Sequence, residues 1–243
     1  MPTPLTERRL ATPCIITVLV LICVGVNVRA QSASAGAEYA MRWSPEQGGP
    51  GDADAALKVL KLTYKAKDVA QFQVRYFAVS APLPASGPVP ILRERTKNGG
   101  PETTWKYRSS GGFPAPALAE WACPLRSSKT AKDEVDVTLL SSGAVRTYSR
   151  SCTSKGSVAE TIPPDIVAQP KGCSVRMRRI EAGAVTVEEW NLNGGKVVLE
   201  ISSRGLDVPA SLRAFQADIA EKLMAAGARP IDRSKSELGS QCP

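Results

Sequence analysis

The sequence predicts an α+β fold built on an antiparallel sheet of eight or nine strands, with few helices. Two observations lead to this prediction. From residue 38 onward, apolar and polar residues alternate with a period of two in most segments, as they do in half-buried strands. Turn sequences such as Asn-Gly-Gly and Ser-Ser-Gly separate these segments. The chain has 243 residues, of which 43% are hydrophobic, and this is enough to bury the core of a single compact domain.

The predicted elements follow one another along the chain. A short first strand covers residues 38–43, and a helix that Asp52 and Asp54 can cap follows at 52–62. Further strands are expected at 71–79, 89–96, 103–109, 134–140, 145–151, 174–180, 185–191 and 196–203. A helical turn is expected near 115–121, and a longer helix at 209–226 has a core-facing stripe formed by Leu212, Phe215, Ile219 and Leu223.

The first 30 residues have the arrangement of a secretory signal peptide. Arg8 and Arg9 precede an apolar run at 14–26 that is shorter than a membrane span, and Ala30 offers a small residue for cleavage. An uncleaved N-terminal anchor is the alternative, and the short apolar run favours cleavage. We expect a flexible leader at 31–37 and a single domain at 38–243. No later stretch is apolar enough to span a bilayer, so the sequence predicts a secreted or periplasmic protein without a membrane span.

Cleavage would leave four of the six cysteines. An even number of cysteines in an oxidising compartment predicts two disulfides, for which three pairings are possible. We favour Cys123–Cys152, because this pair brackets a predicted hairpin. We favour Cys173–Cys242 as the second, because it would tie down the C-terminal tail.

The chain contains no histidine, which excludes several kinds of site. Ser-His-Asp and Cys-His relays, a histidine general base and zinc held by imidazole are all impossible. The 31 Lys and Arg residues outnumber the 23 Asp and Glu residues, and the formal net charge is +8. Aromatic residues are few and do not interleave with the basic ones, so no specific nucleic acid partner is predicted. Any chemistry must depend on carboxylates, Lys, Arg, hydroxyl groups or a metal.

Charged residues recur in pairs two positions apart on the predicted strands. The pairs are Arg93 with Arg95, Lys106 with Arg108, Glu134 with Asp136, and Arg176 with Arg178. Residues two apart on a strand point to the same face and lie about 7 Å from each other. A one-sided sheet with a solvated face would account for any one pair, whereas a closed barrel lined with charges would account for all of them. Its cations would hold phosphate oxygens, and its carboxylates a divalent metal.

In their order and spacing these motifs resemble those of the CYTH, or triphosphate tunnel metalloenzyme, superfamily. The family motif E-x-E-x-K on the first strand is matched by residues 38–42, R-x-R by residues 93–95, and K-x-R by residues 106–108. Further similar segments are 76–80, 134–136, 176–178, 188–190, 198–202 and the basic tail at 233–237. The resemblance is collinear from about residue 38 to 239. It implies a closed or near-closed antiparallel barrel, a tunnel that surrounds a triphosphate or polyphosphate.

The resemblance also implies a set of site residues. The phosphate-binding cations would be Arg42, Arg93, Arg95, Lys106, Arg108, Arg176, Arg178 and Lys235. The carboxylates around Mg²⁺ or Mn²⁺ would be Glu38 and Glu200, with Glu134, Asp136 and Glu188 as helpers. Ala40, Ala78 and Ser202 stand where family members have acidic residues. The predicted basic set is therefore nearly complete, whereas the predicted metal shell is depleted.

Three functional hypotheses follow from this imbalance. The retained cations and lost acids favour an exported CYTH-like tunnel that binds triphosphate, polyphosphate or a related polyanion, with weakened or lost hydrolysis. A metal-dependent triphosphatase is the alternative, in which the same cations would stabilise the developing charge. The third hypothesis is a structural envelope protein with a vestigial tunnel. Convergence of the cations in one cavity, as opposed to their spread over an outer surface, distinguishes the first hypothesis from the third.

Overall fold

The structure, a computed structural model, describes residues 36–80, 90–113, 122–128 and 131–240. Ten strands in these ranges form one sheet. They are β1 Gly36–Trp43, β2 Val69–Ser80, β3 Ile91–Lys97, β4 Gly100–Ser109, β5 Lys132–Leu140, β6 Gly143–Lys155, β7 Val167–Pro170, β8 Val175–Ala182, β9 Val185–Asn191 and β10 Val197–Leu206. β1 begins two residues before the predicted strand, so the last two residues of the predicted leader belong to it.

The described helices are short, except for a continuous helical segment at 209–225. The α-helices are α1 Ala53–Val59, α2 Val158–Thr161, α3 Pro209–Phe215, α4 Glu221–Ala225 and α5 Lys235–Leu238. The Asp52 side chain caps α1 by accepting a hydrogen bond from the backbone N–H of Ala55. A single π-helical turn, Gln216–Ala220, joins α3 to α4, and we refer to this continuous segment as the 209–225 helix.

Nine of the ten strands close into a barrel. Their order is β3-β4-β6-β5-β1-β10-β9-β8-β2, and β2 closes the ring by pairing with β3. The short strand β7 pairs with the last residues of β2, beyond those that pair with β8. The predicted barrel with a C-terminal helix is confirmed. One pair, β1 with β5, is parallel, whereas the other described pairs are antiparallel.

The alternation of side chains gives the barrel an apolar outer face and a polar inner face. In β1 the odd-numbered residues, from Ala37 to Trp43, are buried against the helices, whereas the even-numbered Glu38 and Arg42 face the interior. The outer face of β1, β5, β8, β9 and β10 packs against α1 and the 209–225 helix. A strand with one face buried in a core has a strongly specified register, so this outer core fixes which side chains point inward.

The 209–225 helix packs on the barrel as the sequence predicts. Phe215, Ile219 and Leu223 are buried in the outer core, and Leu212 packs against it half-buried. These four residues lie on one helical face at spacings of three and four. The helix therefore buttresses the wall of the barrel from outside and contributes no residue to the interior.

A second apolar cluster fills part of the barrel interior. Met177, Trp190 and Val198 are paired in register on β8, β9 and β10, and all three are buried. Leu238 of α5 packs into the same cluster. The next inward residues along these three strands are charged, so α5 lies directly beside the charged part of the interior.

A third apolar cluster, on the outer face of β3, β4 and β6, contains a disulfide. Cys123 and Cys152 are bonded, with Cα atoms 6.0 Å apart, and Cys152 is buried beside Trp105. The predicted pairing of these two cysteines is confirmed. Cys173 is also disulfide-bonded, and its predicted partner Cys242 lies outside the described residues.

Some predicted features fall outside the described ranges or differ from them. The signal peptide and the helical turn near 115–121 lie outside the described residues. The predicted elements do not include α2, β7 or α5, which are each four residues long. None of the helices in the described part of the chain is long and apolar enough to cross a membrane.

Candidate functional site

The barrel encloses a charged cavity of about 520 Å³, which we call the tunnel. Nine described cations line it: Arg42, Arg93, Arg95, Lys106, Arg108, Lys132, Arg179, Arg204 and Lys235. Seven described carboxylates also line it: Glu38, Glu102, Glu134, Asp136, Glu181, Glu188 and Glu200. Cations therefore outnumber carboxylates by two, and the lining carries a net positive formal charge.

Most of the predicted site residues converge in the tunnel. Six of the eight predicted cations line it, and so do all five predicted carboxylates. They come from β1, β3, β4, β5, β9, β10 and α5, which are far apart in sequence. Three of the four charged pairs thus share one enclosed space and are not spread over a solvated outer face.

Arg176 and Arg178 do not line the tunnel, contrary to the prediction. Arg178 lies on the outer side of the barrel, where its Nη1 is 2.7 Å from Oδ2 of Asp54 and 3.8 Å from Oε2 of Glu189. Arg176 is exposed. The adjacent Arg179 takes the inward position on β8.

The prediction for Arg176 and Arg178 was wrong because both faces of β8 are partly apolar. The inward residues begin with Val175 and Met177 and end with charges, whereas the outward residues include Ile180 and Ala182, which are buried under the helices. Period-two alternation alone therefore leaves two equally good phases for this strand.

Four residues at the inner edge of the apolar cluster form a buried ionic network. Lys235 Nζ donates to Glu188 Oε2 at 2.9 Å and to Glu200 Oε1 at 2.5 Å. Arg42 Nε donates to Glu200 Oε2 at 2.5 Å, and Trp190 Nε1 donates to Glu188 Oε2 at 3.1 Å. Glu188 and Glu200 lie opposite each other in the β9–β10 register, so the sheet itself brings the two carboxylates together.

Opposite charges in the network shift the pKa values of Glu188 and Lys235. Burial acts to raise the pKa of Glu188, but the charges of Lys235 and Arg95 outweigh it and hold that pKa at about 2. Burial acts to lower the pKa of Lys235, but Glu188 and Glu200 outweigh it and raise that pKa above its usual value. Glu188 and Lys235 therefore both remain ionised at neutral pH.

These carboxylates, as placed, do not fit a resident divalent metal. Three of the four oxygens of Glu188 and Glu200 already accept hydrogen bonds from Lys235, Arg42 or Trp190. The neighbouring inward positions are Ala40 and Ser202, which supply no carboxylate. Within the described ranges, no group of three or more Asp, Glu or Cys side chains is arranged to hold a metal ion.

A second ionic group lies where β1, β4 and β5 approach each other. Lys106 Nζ is 2.9 Å from Asp136 Oδ2, and Arg108 Nε is 3.7 Å from the same oxygen. Burial lowers the pKa of Lys106, and Asp136 partly counteracts this effect. The parallel pairing of β1 and β5 places Glu38 opposite Asp136. The predicted helper carboxylate is thus engaged by cations, as is Glu134 by Lys132.

Four arginines in the tunnel have a buried Nε without a hydrogen-bond partner in the described structure: Arg93, Arg95, Arg108 and Arg179. Arg93 donates a long hydrogen bond from Nη2 to Thr104, at 3.4 Å, and Arg95 lies over the ring of Phe72, 5.0 Å from its centroid. Burial and the neighbouring charge of Arg93 lower the pKa of Arg95 to about 10. Buried donors of this kind normally have a hydrogen-bond partner. The tunnel therefore presents several Nε–H donors to which an anion could bind.

Sequence reasoning missed several residues that line the tunnel. Arg179 was missed because of the phase of β8. Lys132 and Arg204 lie two and four residues from the predicted Glu134 and Glu200 on the same strands, so the period of two could have identified them. Glu102 and Glu181 also face inward, and no motif pointed to them.

Of the comparisons with known proteins, only the one with solved structures finds similar proteins. No protein-family model matches the chain, and no curated protein matches it. Similar structures include PH1819 from Pyrococcus horikoshii OT3, which is 10% identical with a TM-score of 0.40 and aligns over 82% of this chain and 97% of that chain. PH1012 from the same organism is 14% identical with a TM-score of 0.43, over 84% of this chain and 98% of that chain.

A third similar structure is that of HpAC1 from Hippeastrum, for which a dominant triphosphatase activity is described. It is 11% identical with a TM-score of 0.43, and the alignment covers 82% of this chain and 91% of that chain. With TM-scores below 0.5, these similarities assign neither a family nor a function to the chain.

Proposed function

We propose that the tunnel binds triphosphate, a longer polyphosphate or a related polyanion. The observation that carries this proposal is the set of four arginines in one cavity whose buried Nε atoms lack a hydrogen-bond partner. Two of them, Arg108 and Arg179, also form an ion pair, with Asp136 and Glu181 respectively. Each buried donor without a partner costs about 1–3 kcal/mol. Phosphate oxygens would satisfy these donors with charge-assisted hydrogen bonds, for which the planar guanidinium group is well suited.

The distribution of these arginines favours an anion with several charged groups. Arg93 and Arg95 lie on β3, Arg108 lies on β4, and Arg179 lies on β8. A single small anion would satisfy only some of them, whereas a chain of phosphate groups can extend from one strand to the next. The tunnel volume of about 520 Å³ is within the range of ordinary ligand sites, roughly 300–1,000 Å³.

Binding without efficient hydrolysis is the form of the proposal that the carboxylates support. Glu188, Glu200 and Asp136 are held in ion pairs with cations of the same cavity. No carboxylate in the described ranges is arranged with others as a metal shell. Hydrolysis by a metal-dependent triphosphatase stays the alternative, and an assay decides between the two.

Export to an oxidising compartment is part of the proposal. It is supported by the basic, apolar and small-residue order of residues 1–30. The disulfide between Cys123 and Cys152 is the kind of bond that persists outside the cytoplasm.

Isothermal titration with tripolyphosphate at low ionic strength tests the binding. We expect saturable binding, weakened by roughly tenfold or more in Arg93→Gln, because a charge-assisted hydrogen bond contributes about 1.5–3 kcal/mol. Arg75→Gln is the matched control, since Arg75 is exposed on the outer face of the adjacent strand β2. Absence of binding by the folded protein, or equal losses in the two variants, would reject the proposal.

Phosphate release tests the alternative. The protein is incubated with tripolyphosphate and nucleoside triphosphates in the presence of Mg²⁺ or Mn²⁺. We expect no release above that of the Glu200→Ala variant. Release that depends on Glu200 would instead support a triphosphatase.

A further inference from the structure

The position of Lys235 is built into the fold. Its helix α5 is capped by Ser234, whose side chain accepts a hydrogen bond from the N–H of Glu237. Leu238, one turn further on, is buried in the inner apolar cluster. The backbone N–H of Ile231 donates to the carbonyl of Arg42, which ties the approach to α5 to the barrel wall. Lys235 is therefore held at the tunnel by a backbone hydrogen bond before it in the chain and by the buried Leu238 side chain after it.

The surroundings of the Lys235 ammonium resemble those of a bound cation. Its Nζ contacts one oxygen of Glu188 and one of Glu200, and lies 5.7 Å from the ring centroid of Trp190. The second oxygen of Glu200 is bound to Arg42. The two carboxylates and the two cations form a neutral group, so no charge is left in it for a further cation to compensate.

We propose that Lys235 is a fixed cation in the place between Glu188 and Glu200, so that the tunnel binds its phosphate-chain anion without a divalent metal. This inference rests on the proposed function. An ammonium has three N–H donors, and two of them are used by the carboxylates, so one remains for an oxygen of the anion. A metal in the same place would have to displace Lys235 or Arg42 from Glu200, and would leave a buried cation without its partner.

Mn²⁺ alone, followed by electron paramagnetic resonance, tests the site without any anion. We expect no saturable binding by the wild-type protein or by Lys235→Arg, which keeps the charge. Lys235→Met frees Glu188 and Glu200 of their shared cation and is expected to gain a saturable Mn²⁺ site, which the added substitution Glu200→Gln removes again. Lys222→Met, at an exposed position on the 209–225 helix, controls for the loss of a lysine. Saturable Mn²⁺ binding by the wild type at this site would overturn the inference.

Titration of the wild type with tripolyphosphate tests the inference without relying on a variant that has to fold. We expect the affinity for tripolyphosphate in metal-free buffer treated with a chelating resin to equal or exceed that for preformed Mn²⁺–tripolyphosphate, which carries less negative charge. Binding that is roughly tenfold or more tighter with the metal complex would overturn the inference and leave the proposed function intact. Binding of neither titrant would reject the proposed function itself.

Discussion

The charged side chains of the tunnel fall into two groups with different roles. Lys235, Arg42 and Lys106 are bound to carboxylates of the same cavity, and they neutralise charges that the barrel would otherwise bury alone. Arg93 and Arg95 have no salt bridge within the described part of the chain and keep unused donors. We therefore expect substitutions in the first group to act mainly on stability, and substitutions in the second group to act mainly on anion binding.

Glu188 should make the stability of the fold depend on acid pH. Its pKa is about 2 in the folded protein and near 4.5 when the chain is unfolded, because Lys235 and Arg95 outweigh the effect of burial. The stabilisation it contributes, about 3 kcal/mol, is complete above pH 4.5 and is lost as the pH falls toward 2. Urea unfolding of Glu188→Gln should therefore show a smaller loss of unfolding free energy over this pH range than the wild type.

The control for this measurement is Glu221→Gln, since Glu221 is exposed on α4. Its unfolding free energy should fall with pH in parallel with that of the wild type. If the curve of Glu188→Gln is also parallel to the wild type, Glu188 does not contribute in the way its buried ion pair indicates.

At the scale of elements, β8 provides a matched pair of arginines. Arg179 faces the tunnel and Arg176 faces the solvent, although they belong to one strand and are three residues apart. We expect Arg179→Gln to weaken tripolyphosphate binding by roughly tenfold, because a buried donor to the anion is lost, and Arg176→Gln to leave the affinity within about twofold. Isothermal titration measures both. A larger effect at Arg176 would show that the inward phase of β8 is the one first predicted.

Local pattern was enough to predict most elements and insufficient for others. The hairpin of β3 and β4 was predictable because Asn98, Gly99 and Gly100 mark its turn, and the 209–225 helix because its apolar residues recur at helical spacing. α5 could not be predicted, since four residues are too few for a period to appear. Lys235 was identified only through the resemblance of the tail, and its contact with Glu188 depends on how α5 docks.

At the scale of the whole molecule, buried arginine Nε atoms without a hydrogen-bond partner are spread over three strands, and this spread predicts a dependence on the length of the anion. Affinity should rise from orthophosphate to pyrophosphate to tripolyphosphate, because each added phosphate group reaches further donors. It should also fall as NaCl is added, since part of the attraction is electrostatic. Competition titration at fixed ionic strength measures the series. Equal affinity for the three anions would place binding at one arginine and not along the tunnel.

The closure of the barrel could be predicted only in outline. Inward charges on many strands indicated a closed arrangement, but the pairing of β2 with β8 and the parallel pairing of β1 with β5 join segments far apart in sequence. Neither pairing leaves a local signal. Which carboxylates would meet which cations depends on these registers, so the ionic network around Glu200 could not be derived from the positions of its members along the chain.

The place of β1 between β5 and β10 has a consequence for the order of folding. Glu38 at the start of the chain's first described strand lies opposite Arg204 near the end of the last strand. The barrel wall therefore has a gap until β10 has been synthesised, and the apolar outer residues of β1 have no complete surface to cover them before then. Contacts between residues so far apart in sequence form slowly. We therefore expect the barrel to remain open and unfolded until β10 has been synthesised.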